Sequence, residues 1–481
     1  MSTTDMSFLF VFLPLVLCAC FMSAKFQKYI LLVFSLFFYA CGSPKYFLLF
    51  VGMVVVNIVL SYIMQACNKK SVKSLRIISG VVLTIGILLN VGLLFYYKYY
   101  DFAVENINNI FGVEFATKNL MLPLGISFFT FKAISLLVDV YKGKVVLKGN
   151  PCYAALYLSF FGQVVSGPIS GYGEFYEKYD DESLNNNRFE RFSEGSYLFA
   201  KGFCKKILIA NVLSPVVVEI FSMEMQNTSA ALLWLGSIAF SMQLYYDFSG
   251  YSDMAIGIGK MYGINCKENF NYPYCTKSIS EFWRRWHISL GTWFKEYIYF
   301  PMGGSRVKSK IRLFFNLLMV WLCTGIWHGA SWAFVFWGLA YFVVISLEKV
   351  TNMPQRLKSN VAKIIYRVFC LLFINFQWVI FNSISLKAGL NYIKYMFVSA
   401  GNELANTRTV VLLQQYGLFI AVAIIFSAPI IPKVKEIMEN KNKKARLVFG
   451  VLEAVSIMIL FICAMSFVIA GQNNPFLYGN F

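Results

Sequence analysis

Leu313-Phe-Phe-Asn-Leu-Leu-Met-Val-Trp-Leu-Cys-Thr-Gly-Ile-Trp-His-Gly-Ala-Ser-Trp-Ala-Phe-Val-Phe-Trp-Gly-Leu-Ala-Tyr-Phe-Val-Val-Ile-Ser-Leu347 runs for 35 residues without Asp, Glu, Lys or Arg. As one helix at roughly 1.5 Å per residue it would reach about 50 Å, against a hydrocarbon core of about 30 Å. The run must therefore tilt strongly or fold back, and Thr324-Gly325 to His328-Gly329 near its middle is the natural break. If Arg312 marks the cytoplasmic surface, His328 lies about 24 Å further along the helix, inside the membrane or towards its outer side. The chain has two histidines, His287 and His328, and both fall between Tyr245 and Leu347. A packed, satisfied imidazole is the ordinary explanation for His328, but desolvation in a lipid-bathed bundle makes a functional role the stronger reading.

The rest of the 481-residue chain shares this character. Hydrophobic residues make up 58% and charged residues 14%, with a mean hydropathy of +0.60, whereas soluble domains carry about 25% charge. Charge-free runs at Met6–Ala24, Tyr46–Cys67, Ile77–Tyr97, Gln226–Tyr246, Thr409–Pro432 and Ala454–Phe481 are long enough to span. Adding shorter or interrupted candidates predicts an all-α polytopic membrane protein of about 11 transmembrane helices with re-entrant and interfacial helices. We read residues 1–481 as one membrane domain: N-terminal helices 1–118, a motif-bearing core 119–347 and C-terminal helices 348–481. The first run lacks a basic leader and a small-residue cleavage site, so a retained helix is expected there rather than a cleaved signal peptide.

The net charge of +19 sits in loops between apolar runs, as on a cytoplasmic membrane face, and gives no case for nucleic acid. Lysines at 69, 70 and 73 with Arg76, and the set Lys433 to Arg446, mark cytoplasmic loops and put the N-terminus outside. Glu174 to Asn187, with Tyr179-Asp-Asp-Glu-Ser-Leu184 and the three asparagines that follow, reads as another such loop. The eleven cysteines lie in or beside apolar runs without paired metal-ligand spacing, so inert thiols are expected, with no disulfide framework and no metal.

Two polar, helix-breaking segments interrupt the apolar pattern. Pro123 and Gly125 precede a run broken by Lys132 and Asp139, predicting a short re-entrant or cavity-lining element. Gly162-Gln-Val-Val-Ser-Gly-Pro-Ile-Ser170 has the same texture, and a plain helix end is the alternative. Asp247 and Asp253 stand at the end of a long apolar run, where carboxylates are either helix caps or site residues. Between Lys277 and Arg312, basic residues interleave with Trp283, Trp286 and Trp293, predicting one interfacial helix face beside His287. Those charges fit ordinary membrane-face bias; alternatively Arg284, Arg285 and Lys295 form a cationic mouth for a phosphate-bearing substrate such as coenzyme A. A buried imidazole tends to stay neutral, the form a general base needs. Two histidines without paired spacing make neither a triad nor a zinc site.

At these residues the chain resembles the membrane-bound O-acyltransferase (MBOAT) family, and within it the bacterial alginate O-acetylase branch. The similarity is carried by Pro123-Leu-Gly-Ile-Ser-Phe-Phe-Thr-Phe131, Tyr246-Asp-Phe-Ser-Gly-Tyr-Ser-Asp253, Glu281-Phe-Trp-Arg-Arg-Trp-His-Ile-Ser-Leu290, Tyr299-Phe-Pro-Met-Gly-Gly304, Gly325-Ile-Trp-His-Gly329 and the closing Asn474-Pro-Phe-Leu-Tyr478. The resemblance implies a helical bundle with a central channel, His328 as catalytic residue and His287 as a second functional position. It also implies a cytoplasmic acyl donor, an acceptor from the far side, and an extracytoplasmic partner resembling SGNH hydrolases. Two positions depart from the family pattern: Gly171 replaces an arginine after Gly167-Pro-Ile-Ser170, and Lys132 stands where glutamine is expected.

The expectation is acetyl transfer from acetyl-coenzyme A, a substrate rather than a bound cofactor, to a hydroxyl of an exported cell-surface polysaccharide or relay partner. His328 would act as base and His287 would orient a substrate, with Arg284, Arg285, Lys295, Trp286, Asp247 and Asp253 as candidate binding residues and glycines 325 and 329 giving close access to His328. Teichoic-acid D-alanylation from a carrier protein is the alternative enzyme, and a non-enzymatic transporter or export scaffold the alternative class.

Overall fold

The computed structural model describes residues 3–69, 72–177, 187–397, 404–440 and 443–471. Residues 178–186 of the predicted Glu174–Asn187 loop and the closing Asn474–Tyr478 segment lie outside these residues. The described chain is helical, with no strand among the described residues. Seven of its helices are long and apolar enough to cross a membrane: Pro44–Asn68, Lys73–Phe111, Lys310–His328, Trp332–Thr351, Asn360–Asn382, Thr407–Phe426 and Lys444–Ile469. Shorter apolar helices at Phe8–Met22 and Gln27–Gly42 add to them. Large apolar side chains such as Leu48, Val55, Leu88, Val361 and Ile462 remain exposed along these helices, as lipid-facing surfaces require.

The chain divides into two compact units, residues 1–199 with 254–267 and residues 200–253 with 268–481. In the first unit, helices Phe47–Asn68 and Lys73–Leu94 are joined by the buried pair Asn57 and Asn90, each amide donating to the other's oxygen at 3.3 and 2.7 Å. Such amide pairs satisfy each other where lipid offers no partner. The helix Ile126–Tyr141 begins right after the Pro123–Gly125 break and, where a short interrupted element was expected, runs unbroken through Lys132 and Asp139, buried along nearly its whole length. Gly125 has φ +66, and a Cβ there would lie 2.1 Å from the Val164 carbonyl oxygen, so no other residue fits. The non-helical stretch after Ser159 is itself buried within protein, the one place irregular backbone is tolerated at membrane depth. Lys132 is buried there too: its ammonium donates to Gln163 Oε1 at 2.9 Å and lies over the rings of Tyr157 and Phe175. An amide oxygen and two π faces thus replace the solvent a buried ammonium loses.

The second unit is built on aromatic packing. Trp283, Trp286, Trp321, Trp337, Tyr341, Trp378 and Phe381 form a network of ring contacts that joins its helices. The charge-free 35-residue run does fold back, at the C-terminal end of the expected Thr324–Gly329 break. One helix, Lys310–His328, runs straight through Thr324 and Gly325, and the next, Trp332–Thr351, starts after a three-residue turn. Gly325 therefore does not break the helix. A Cβ there would lie 2.5 Å from the Phe334 carbonyl oxygen, and one on Gly338 would lie 2.4 Å from that of Trp321. The paired glycines let two helix backbones touch.

Candidate active site

His328 is the last residue of the Lys310–His328 helix and is 1% exposed. Its ring lies 4.9 Å from Trp327, 4.9 Å from Trp337 and 5.2 Å from Phe381 between centroids. Gly329, which follows, has extended backbone that any residue adopts; its side chain is excluded because a Cβ would lie 2.2 Å from the Phe334 ring. The expectation that glycines 325 and 329 leave open access to the imidazole is thus overturned, since both positions are filled by the neighbouring helix. An imidazole held among indole and phenyl rings is screened from water, which strengthens every electrostatic interaction it makes.

His287 stands at a break that the sequence reading missed. Residues 283–293 form two short helices, Ile279–Arg285 and Ile288–Phe294, instead of one interfacial face. Trp286 between them is extended, and His287 adopts left-handed backbone with φ 45 and ψ 53. An L residue other than glycine pays roughly 1–3 kcal/mol for such a conformation unless its surroundings hold it there. They do. Ile288 donates its backbone N–H to the Asn269 carbonyl at 3.0 Å, Ser289 donates its N–H to Asn269 Oδ1 at 3.0 Å, and Asn271 donates to the Arg285 carbonyl at 2.9 Å. Asn269 Oδ1 also lies 3.2 Å from His287 Nδ1. The His287 ring packs edge-on against Phe248 at 4.6 Å and lies 6.1 Å from Trp327. His287 is 1% exposed, and burial pushes its pKa down to about 3.

The short helix that leads into His287 is fixed at its start. Ser278 caps it by accepting the Glu281 N–H at 3.0 Å. Glu348, 5% exposed at the end of the Trp332–Thr351 helix, accepts the N–H groups of Ile279 and Ser280 and the hydroxyl proton of Tyr366. A carboxylate at a helix N-terminus satisfies donors that no helical carbonyl can reach.

The structure brings His287 and His328 against one indole, that of Trp327, in the same unit. The remaining candidates make other contacts. Trp286 is 1% exposed in a cluster with Phe270, Phe282 and Trp378, so it packs the core and does not face a membrane interface. Arg285 pairs with Glu281 at 2.8 Å, and its neighbours hold the Glu281 carboxyl below the usual carboxylate range against the opposing effect of burial. Arg284 and Lys295 are exposed. Asp247 and Asp253 are not caps, because the helix Ala230–Met261 runs through both. Asp247 forms a buried ion pair with Lys206 at 2.5 Å and Asp253 pairs with Lys205 at 2.7 Å. Gly250 permits this: a Cβ there would lie 2.7 Å from the carbonyl oxygen of Gly202, in the helix Arg188–Cys204 that leads into Lys205 and Lys206, so the backbones approach closely enough for the two pairs to form.

Asn269 and Glu348 are the two residues that sequence reasoning did not single out. Asn269 sits in Glu268-Asn-Phe-Asn-Tyr-Pro-Tyr274, between the apolar run and the basic aromatic segment, and Glu348 merely ends an apolar run.

A family model described as membrane-bound O-acyltransferase matches residues 9–392. A probable alginate O-acetylase AlgI of Azotobacter vinelandii is 36% identical over 81% of this chain and 77% of its own length. A probable alginate O-acetylase AlgI of Pseudomonas putida is 33% identical over 98% of this chain and 99% of its own length. A peptidoglycan O-acetyltransferase of Helicobacter pylori is 35% identical over 81% of this chain and 78% of its own length.

Proposed function

The chain belongs to the membrane-bound O-acyltransferase family, and from that premise we propose that it moves an acetyl group from acetyl-coenzyme A to a hydroxyl of a cell-surface polysaccharide or of a relay partner. The observation that carries this reading is His328, a buried imidazole at the foot of the Lys310–His328 helix among Trp327, Trp337 and Phe381. Relatives named as acting on alginate and on peptidoglycan support a polysaccharide as the acceptor class.

In the reaction His328 accepts the hydroxyl proton as the oxygen attacks the thioester carbonyl carbon. The tetrahedral adduct collapses, its carbon–sulfur bond breaks, and the departing thiolate takes the proton back from the imidazolium. The products are an O-acetyl ester and free coenzyme A, with His328 neutral again. Exposed Arg284 and Lys295 would meet the donor's phosphates. An extracytoplasmic SGNH-hydrolase-like partner would complete transfer to the polymer, with the N-terminus on that outer side.

The test is the purified protein in lipid nanodiscs with labelled acetyl-coenzyme A and a panel of polysaccharide acceptors. Label should appear on an acceptor with the parent and not with His328→Ala. A parent inactive with this donor but active with a D-alanyl carrier protein would overturn the choice of donor.

A further inference from the structure

The hydrogen bonds around Asn269 decide which nitrogen of His287 carries its proton. Asn269 Oδ1 accepts the backbone N–H of Ser289 at 3.0 Å and the Ser289 hydroxyl proton at 2.9 Å. Its Nδ2 donates to Ser252 Oγ at 3.1 Å. A backbone N–H is a donor under all conditions, so the amide cannot be flipped: its NH2 group would then meet the Ser289 N–H, donor against donor. The atom 3.2 Å from His287 Nδ1 is therefore an oxygen that can only accept. Two lone pairs would repel at that distance, so His287 Nδ1 is the nitrogen that bears hydrogen. Burial keeps the imidazole neutral, and a neutral ring with hydrogen on Nδ1 has a bare lone pair on Nε2.

We infer that Asn269 is a positioning residue that holds His287 as the Nδ1–H tautomer, so that Nε2 engages an O–H of the acceptor substrate and not the thioester carbonyl. This rests on the O-acyl transfer reading given above. A carbonyl oxygen gaining charge in the tetrahedral adduct needs hydrogen-bond donors, and a bare Nε2 offers the wrong sign. A polyhydroxyl acceptor offers O–H groups beside the one that attacks, and each is a donor that Nε2 can take. The tautomer thus divides the two histidines: His328 for the reacting hydroxyl, His287 for holding the acceptor. The same asparagine uses its backbone oxygen on Ile288 and its side-chain oxygen on Ser289, so ring tautomer and left-handed backbone are set by one residue.

Because the chain has two histidines, 15N-histidine labelling gives two imidazole spin systems, and His328→Gln assigns them. We expect His287 in the parent to show a protonated Nδ1 and an unprotonated Nε2. Asn269→Ala should mix the tautomers, raise the KM for acceptor, lower kcat on the order of 100-fold, and keep the KM for acetyl-coenzyme A within about twofold. Asn269→Asp, which keeps an oxygen acceptor, should retain the Nδ1–H tautomer and recover most of the activity. An unprotonated Nδ1 in the parent overturns the inference, as does Asn269→Ala with parental acceptor kinetics. So does an effect of Asn269→Ala confined to the donor KM. A parent that transfers no acyl group contradicts the functional reading instead, and the NMR spectrum then still decides the tautomer.

Discussion

Glu348 Oε1 accepts the backbone N–H of Ile279 at 2.7 Å, tying the end of one membrane helix to the start of the short helix that delivers His287. Glu348 Oε2 takes the Ser280 N–H at 2.8 Å, and Tyr366 donates its hydroxyl proton to Oε1 at 2.6 Å. Hydrogen bonds to a charged group contribute about 1.5–3 kcal/mol each. Glu348→Ala should lower the thermal unfolding midpoint in detergent markedly and reduce acyl transfer. Tyr366→Phe, which removes one of the three, should do less. Equal midpoints for Glu348→Ala and the parent would show that the contact holds nothing in place.

The Lys206–Asp247 pair is 2% exposed on both sides, so removing one charge leaves the other buried without its counter-charge. Lys206→Met alone should cost about 3–5 kcal/mol. Lys206→Met with Asp247→Leu should recover much of that loss, because replacing both charges by apolar groups is often neutral. Chemical denaturation in mixed micelles measures both. A double variant less stable than the single would contradict this.

Gly325 and Gly417 make a matched pair for substitution by alanine. At Gly325 the new methyl would collide with the Phe334 carbonyl, whereas at Gly417 it would meet nothing within 4 Å. Gly325→Ala should destabilise by about 1–3 kcal/mol and displace His328, three residues on. Gly417→Ala, inside the Thr407–Phe426 helix, should stabilise by about 0.5–1 kcal/mol. Thermal midpoints and transfer rates of the two proteins read this directly.

Acid should destabilise the fold through His287. Its folded pKa, about 3, lies below the unfolded value near 6.5, so below that value the unfolded chain binds a proton that the folded imidazole refuses. The contribution is fully present above about pH 6.5 and falls by about 1.4 kcal/mol per pH unit as pH drops towards 3. Between pH 7 and pH 5 the unfolding midpoint of the parent should fall further than that of His287→Gln. Parallel curves would contradict the burial argument.

Much of this was legible in the chain. Charge-free length alone required residues 313–347 to tilt strongly or fold back, and Pro123 with Gly125 marked the break that precedes the Ile126–Tyr141 helix. What could not be read were relations between distant residues. Spacing put Trp283, Trp286 and Trp293 on one helical face, and the break at His287 depends on Asn269, which lies 18 positions away. Asp247 and Asp253 read as caps or site residues, not as ion pairs, because their lysine partners sit more than 40 positions earlier. Gly325 looked like a helix breaker because the helix that fills its space comes later in the chain.

The central claim is that His328 performs the acyl transfer, and one measurement tests it most directly: the rate of labelled acetyl transfer by parent and His328→Ala protein in the same nanodiscs. The account predicts transfer by the parent and a loss of at least about 100-fold in the variant, with the variant still folded. A folded His328→Ala protein that transfers acetyl at the parental rate would contradict it.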